Sequence, residues 1–185
     1  MVPELNVSAM AVMMKMNKTP DQVQDLPQSN ADETVPPLRL LAKDNADIEV
    51  VSALLQDAII PGADMLYDHG TRCFIFIANR FCWERPPLAG VTAEDGHPVH
   101  ERSLCGVRIE GVHRVLQNGM PARREMALLN LLAITSKTSE DDRVEINLTF
   151  SGAAALRLIV DDIDVIVQDV EASHPTMQQP QHALD

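Results

Sequence analysis

The hydrophobic positions of this chain recur mostly with the period of β-strands. Apolar side chains occupy every second position in residues 144–150 and again in residues 156–160, with Ser151 and Gly152 between the two runs. A period of two directs one face of a strand into the core and the other face to solvent. The two runs therefore predict a β-hairpin.

Runs earlier in the chain predict further strands. Residues 64–67 and 72–81 flank Asp68-His69-Gly70, a combination that is typical of hairpin turns. The second run is apolar on both faces, which predicts a central strand of a sheet. Residues 104–110 alternate again, and we expect residues 111–117 to pair with them as the next strand.

One helix is predicted near the start of this patterned region. Ile48, Val51 and Leu55 recur with helical spacing behind Asp44, a residue type that favours the N-cap position. Pro61-Gly62 is expected to end the helix, because proline cannot continue it and glycine favours its C-terminal cap.

A second helix is predicted over residues 161–172. Its apolar side chains fit the spacing i, i+3, i+4, i+7, and the aspartates at its start would complement a helix dipole. A strand is the alternative, since Ile163, Val165 and Val167 are β-branched and also alternate. We favour the helix.

These elements predict an α+β fold with one N-terminal and one C-terminal helix around about five to seven mainly antiparallel strands, since short connections favour antiparallel pairing. A strongly bent sheet or a partial barrel fits this order of elements. A pleckstrin-homology-like barrel closed by the C-terminal helix is one concrete version.

Composition divides the chain into three parts. Residues 1–37 lack a sustained period and are rich in proline and polar residues, which predicts a disordered N-terminal extension. Its residues 1–16 contain several methionines that are alternative starts of translation. We predict that residues 38–172 form a single globular domain and that residues 173–185 form a loose C-terminal tail.

The net charge of −12 restricts the partners of this domain. Phosphate backbones and anionic membranes repel an acidic surface, so we expect neither nucleic acid nor a membrane as partner. Aromatic residues make up only 3% of the chain, which also disfavours a stacking platform for single strands. A protein partner is compatible with this charge.

The cysteines and the apolar runs indicate a cytoplasmic protein. Cys73, Cys82 and Cys105 are an odd number without paired spacing, as expected of reduced, buried thiols. No run approaches the ~20 apolar residues of a membrane span. The apolar run at residues 7–16 lacks the basic region of a secretory signal.

No metal, cofactor or catalytic motif emerges from the sequence. Cys73, Cys82, His97 and His100 lack the close pairs of a structural zinc site. The aspartates near residue 161 do not fit a calcium loop, and the turn at residues 151–152 is not a nucleophile elbow. We therefore lean towards a protein that is not an enzyme.

The best candidate binding site consists of Asp57, Asn79, Arg80, Trp83 and Glu84. The last four lie where the predicted central strand enters a long loop, a common place for functional residues. Arg80 offers a planar fork for an anion, and Trp83 a large anchoring surface. Asp57 falls at a helix C-terminus, where the dipole disfavours an anion, so it is either solvated or paired, and a nearby arginine would explain it.

A structural role is the alternative for the same residues. Arg80 would then pair with Asp57 or Glu84, and Trp83 would close one end of the core. Burial of Arg80 in a closed ion pair would separate this role from anion binding.

Several short stretches resemble a known family. They are Val51-Ser52-Ala53, Gln56-Asp57-Ala58, Asn79-Arg80-Phe81-Cys82-Trp83-Glu84, Leu131-Leu132-Ala133-Ile134, Phe150-Ser151-Gly152-Ala153-Ala154, Leu156-Arg157-Leu158 and Pro180-Gln181-His182. In this order they are similar to an uncharacterised bacterial family of alphaproteobacterial type, domain of unknown function 2948. The resemblance implies a single-domain cytosolic protein and assigns no activity or cofactor.

Together these observations favour a non-enzymatic cytosolic module that binds a protein partner, with Arg80 and Trp83 as its anchor. The alternative is a small-anion-binding protein or an enzyme in which Arg80 clamps the anion and Asp57 or Glu84 acts as a base.

Overall fold

The computed structural model describes residues 36–138 and 143–180. The predicted disordered extension lies outside the described residues except for Pro36 and Pro37, and so does the end of the predicted tail, residues 181–185. No helix among the described residues is long and apolar enough to cross a membrane.

The described residues form one α-helix and eleven β-strands. In chain order they are β1 Arg39–Ala42, α1 Asn45–Leu55, β2 Ile59–Pro61, β3 Met65–Asp68, β4 Cys73–Phe81, β5 His100–Ile109, β6 Val112–Asn118, β7 Leu128–Thr138, β8 Val144–Phe150, β9 Ala155–Val160, β10 Val165–Asp169 and β11 His174–Thr176. The last strand, β11, lies within the segment predicted to be a loose tail.

All strand pairings are antiparallel, and the sheet is open. Its strand order is β1-β10-β5-β4-β2-β7-β8-β9-β6, with β3 added beside β4 and β11 beside β5. The predicted hairpins β3–β4 and β8–β9 are confirmed. Strand β6 pairs with β9 rather than β5, so the expected pairing of residues 111–117 with residues 104–110 is wrong.

The predicted α+β fold with a C-terminal helix is wrong. Residues 165–169 form strand β10, which hydrogen-bonds to β1 on one side and β5 on the other. Val165, Val167 and Asp169 are buried, so the period of two prevailed over the helical spacing of the same residues. The pleckstrin-homology-like barrel is therefore also wrong, because the sheet is open and the segment expected to close it as a helix is strand β10.

Helix α1 forms where it was predicted but is shorter. The Asp44 side chain accepts a hydrogen bond from the Asp47 backbone N–H at 2.8 Å and caps the helix. Ile48, Val51 and Leu55 are buried against the sheet, as their spacing predicted. The helix ends at Leu55, and Asp57 adopts a left-handed φ of 60° just beyond it.

One hydrophobic core lies between α1 and the inward faces of the strands. Residues 73–78 of β4 are all buried, which confirms the predicted central strand. In β4 the side chains of Phe74, Phe76 and Ala78 belong to this core. We call this side of the sheet the inner face, and the opposite side the outer face.

Strand register places two arginines on opposite faces of the sheet. Arg80 of β4 pairs with Ser103 of β5, and Phe81 pairs with Arg102. Successive residues of a strand point to opposite faces. Arg80 therefore continues the inner face after Ala78, whereas Arg102 lies on the outer face.

Replacing Gly62 with alanine is expected to lower the free energy of unfolding by about 2–3 kcal/mol. A Cβ at Gly62 would stand 2.1 Å from the Arg124 carbonyl oxygen, so the two 3-10 turns around these residues would have to separate. Urea denaturation measures the loss. Gly90→Ala is the control, because its Cβ meets nothing within 4 Å and only its φ of 72° causes strain, about 1 kcal/mol. Equal losses in the two variants would contradict the close approach of the turns.

Candidate functional site

The Arg80 side chain is enclosed in an ion cluster at one end of the core. It is 0% exposed. Its Nε and Nη2 donate to the two oxygens of Asp169, each at 2.9 Å, and Nη1 and Nη2 donate to Glu84 at 3.0 and 2.9 Å. Burial lowers the pKa of Arg80, but these hydrogen bonds together raise it by a larger amount. The net pKa therefore lies above its ordinary value.

This cluster uses all three nitrogens of the guanidinium. The expected pair with Glu84 forms, and Asp169 replaces Asp57 as the second partner. Asp169 also accepts a hydrogen bond from the Leu38 backbone N–H at 2.9 Å, which ties the start of the domain to its last long strand. The guanidinium of Arg80 is therefore occupied by the protein itself.

The other candidate residues lie towards the outer face. Trp83 is 36% exposed, and its Nε1 donates to the Gln56 carbonyl oxygen at 3.1 Å. Its ring packs in a tilted geometry on Phe81, with the ring centroids 4.5 Å apart. Asn79 is half-buried, and its Oδ1 has no hydrogen-bond partner among the described residues.

An open cleft of about 740 Å³ lies on the outer face. Its lining includes Asp57, Ile59, Arg102 and Asn130. The loop at residues 95–98 and the segment at residues 177–180 form further parts of its wall. The cleft thus brings one predicted residue, Asp57, beside two residues that the sequence analysis did not select, Arg102 and Asn130.

The register of three strands explains this arrangement. Ile59 of β2 lies opposite Asn79 of β4 on one side and opposite Asn130 of β7 on the other. Residues directly opposite in a sheet share a face. Asn79 lies on the same face as Phe81, which is two positions further along β4. Phe81 is directly opposite Arg102 of β5, so Arg102 shares this face as well.

Arg102 is a buried cation that faces this cleft. It is 8% exposed, its Nη1 donates to the Asn79 carbonyl oxygen at 2.9 Å, and its guanidinium lies 5.8 Å from the centroid of the Phe81 ring. Burial lowers the pKa of Arg102, and the nearby negative charge of Asp57 only partly offsets this effect. A nearby arginine was one of the two explanations for Asp57, and the arginine near it is Arg102 rather than Arg80.

The sequence contains a weak signal for Arg102. It is a charged residue at the start of a strand whose later positions are buried, but the predicted strand began only at Leu104. Asn130 lies within an apolar run and gives a similar signal. Neither signal distinguishes a residue that faces a cleft from one that faces solvent, because that depends on the neighbouring strands.

The three cysteines are free and buried. Burial raises the pKa of Cys82 to about 11 and of Cys73 and Cys105 to about 12. At neutral pH these thiols are protonated, which makes them poor nucleophiles and poor metal ligands. Within residues 36–138 and 143–180 no group of three His, Cys, Asp or Glu side chains could hold a metal ion.

The described residues form an open antiparallel β-sheet. Helix α1 packs on the inner face of this sheet, and a polar cleft lies on its outer face. The chain belongs to the family described as Protein of unknown function (DUF2948), whose model matches residues 38–182. This match confirms the resemblance to domain of unknown function 2948. No curated protein and no solved structure matches the chain.

Asp169→Asn is expected to lower the free energy of unfolding by about 3 kcal/mol, because it removes a charge that balances the buried guanidinium of Arg80. Asp164→Asn is the matched control. Asp164 pairs with Lys43 at 2.9 Å, but both side chains are exposed, so its loss should cost about 1 kcal/mol or less. Urea denaturation of both variants makes the comparison, and similar losses would show that the Arg80 cluster is energetically unimportant.

Glu84 is expected to contribute to stability only above the acid range. Burial raises its pKa, but the hydrogen bonds from Arg80, a backbone hydrogen bond and the positive charges of Arg80 and Arg85 together lower it more, so the folded pKa lies below the ordinary value of 4.5. The unfolded chain therefore binds more protons than the folded chain near that pH, and the contribution of Glu84 is lost as the pH falls through the folded pKa. Glu84→Gln should flatten the loss of stability below pH 4.5.

Urea midpoints measured from about pH 7 down to about pH 3 test this dependence. Glu49→Gln is the control, because Glu49 is exposed on α1 and loses the same charge. If the two variants show the same acid dependence as the parent protein, the ion pair does not control acid stability.

Proposed function

We propose that this protein is a non-enzymatic cytosolic binding module, and that a segment of a partner protein lies in the cleft on the outer face of its sheet. The observation that carries this proposal is the buried guanidinium of Arg102 at an open cleft with exposed apolar borders. Leu128 is 73% exposed and Met177 is 71% exposed, and both line the cleft.

Exposed apolar side chains at a cleft favour a protein partner. Large apolar side chains left in solvent cost free energy, and clusters of them mark interaction surfaces. Trp83 extends the same surface, since its indole is held by Gln56, the residue next to Asp57 of the cleft. The Trp83 ring packs on Phe81, and the Phe81 ring in turn lies 5.8 Å from the Arg102 guanidinium; aromatic side chains and arginine are both enriched in binding hot spots.

Charge supports the same class of partner. With a net charge of −12 the protein repels phosphate backbones and anionic lipids. The alternative was that Arg80 clamps a small anion. Its guanidinium is not available for this role, because Asp169 and Glu84 already pair with it. The thiols that would be candidates for nucleophilic catalysis are buried and protonated.

Site-specific photo-crosslinking in the full chain tests this function. A benzophenone amino acid is placed at Leu128, and in a control protein at Leu116, which is exposed on β6, the strand at the far end of the sheet order. After irradiation in native lysate we expect a discrete adduct from position 128 that excess unlabelled protein suppresses, and none from position 116. Met177→Asp should weaken the adduct, because it places a charge at the apolar border of the cleft.

Absence of an adduct from position 128, or the same adducts from both positions, would overturn the proposed function. A variant that loses the adduct must still show the far-ultraviolet circular dichroism of the parent, so that unfolding is excluded as the reason.

A further inference from the structure

The cleft holds a buried cation whose hydrogen-bond donors the surrounding protein uses only in part. Arg80 and Arg102 are both buried, but two carboxylates accept hydrogen bonds from Arg80. The single hydrogen bond that the Arg102 guanidinium donates within the described parts of the chain goes from Nη1 to the neutral carbonyl of Asn79. Its Nε and Nη2 remain as donors at the wall of the cleft. A desolvated guanidinium with spare donors is a strong binding group for an anion.

A complementary acceptor lies in the same cleft. The Oδ1 atom of Asn130 is buried and has no hydrogen-bond partner among the described residues. A buried polar atom without a partner is unfavourable, and a ligand that donates an N–H to it would recover the lost free energy. The cleft thus presents donors at Arg102 and an acceptor at Asn130 on one face of the sheet.

We propose that Arg102 binds one carboxylate of the partner segment while the Asn130 side chain accepts an N–H from the same segment. This inference rests on the proposed function and specifies the chemistry of its ligand. The ligand class is an extended peptide that carries a single carboxylate next to apolar side chains. The apolar side chains would pack on Leu128 and Met177.

Local charge favours a carboxylate over a phosphate. Asp57 and Asp95 also line the cleft, so one cation lies among acidic groups. A phosphate group carries about −1.5 to −2 at neutral pH and would meet stronger repulsion from these aspartates than a carboxylate would. The same repulsion disfavours segments with several acidic residues.

Retention of random hexapeptides on the immobilised full chain tests the inference. One pool carries Glu and Asp in otherwise neutral sequences with amidated C-termini. A second pool has Gln and Asn in their place and free C-termini, and a third has Gln and Asn with amidated C-termini. We expect enrichment from the first or the second pool, which distinguishes a side-chain carboxylate from a terminal one, and none from the third.

Arg102→Gln should lower retention about tenfold or more, because it removes a charge-assisted hydrogen-bonding group. Arg114→Gln is the matched control: Arg114 is an exposed strand arginine on β6, and its loss changes the net charge by the same amount. Asn130→Asp is a second variant that keeps Arg102 intact. It should lower retention as well, since it adds a negative charge to the cleft.

Equal retention of charged and neutral pools, no enrichment from any pool, or retention unchanged by Arg102→Gln and Asn130→Asp would overturn the carboxylate assignment. Stronger retention of a matched phosphoserine pool would overturn it as well. If the adduct from position 128 persists alongside any of these outcomes, the binding function stands and only its proposed chemistry fails. If that adduct is also absent, the proposed function fails too.

Discussion

The burial of Arg80 in the central strand β4 is the constraint on which much of this structure depends. A guanidinium inside a hydrophobic core is tolerated only when countercharges and hydrogen bonds surround it. Asp169 is 89 positions away in the chain and reaches Arg80 across β5, where the small side chain of Ser103 is opposite Arg80. The same carboxylate accepts the N–H of Leu38. One buried charge thus fixes the ends of the domain against its centre.

The net stabilisation from such a cluster is modest, because desolvation of the charges offsets much of their attraction. Its larger effect concerns register. A shift of β10 by one residue would turn Asp169 to the other face and leave Arg80 without its main countercharge. We infer that the cluster specifies how β10 pairs with β5, which in turn supports the place of β1 beside β10.

Because side chains alternate along β4 and β5, Arg80 and Arg102 lie on opposite faces of one sheet. On the inner face a fully paired arginine closes the core. On the outer face Arg102 is buried against Phe81 and Asn79 and opens onto the cleft. The two side chains have similar burial but different electrostatic surroundings, since carboxylates raise the pKa of one and desolvation lowers that of the other. Because Asp169 and Glu84 occupy the Arg80 guanidinium whereas Arg102 lines the cleft, we propose Arg102 rather than Arg80 as the group that binds a ligand.

The sequence by itself determined the elements whose cause is local. Asp44 caps α1, and strict alternation gives the β8–β9 hairpin, because capping and facing depend on near neighbours. Residues 161–172 fit two periods at once, and only pairing with β1 and β5 decided for a strand. The cleft could not be predicted, since Asp57, Arg102 and Asn130 meet through the register of separate strands. Register depends on contacts between distant parts of the chain, which the tertiary structure alone establishes.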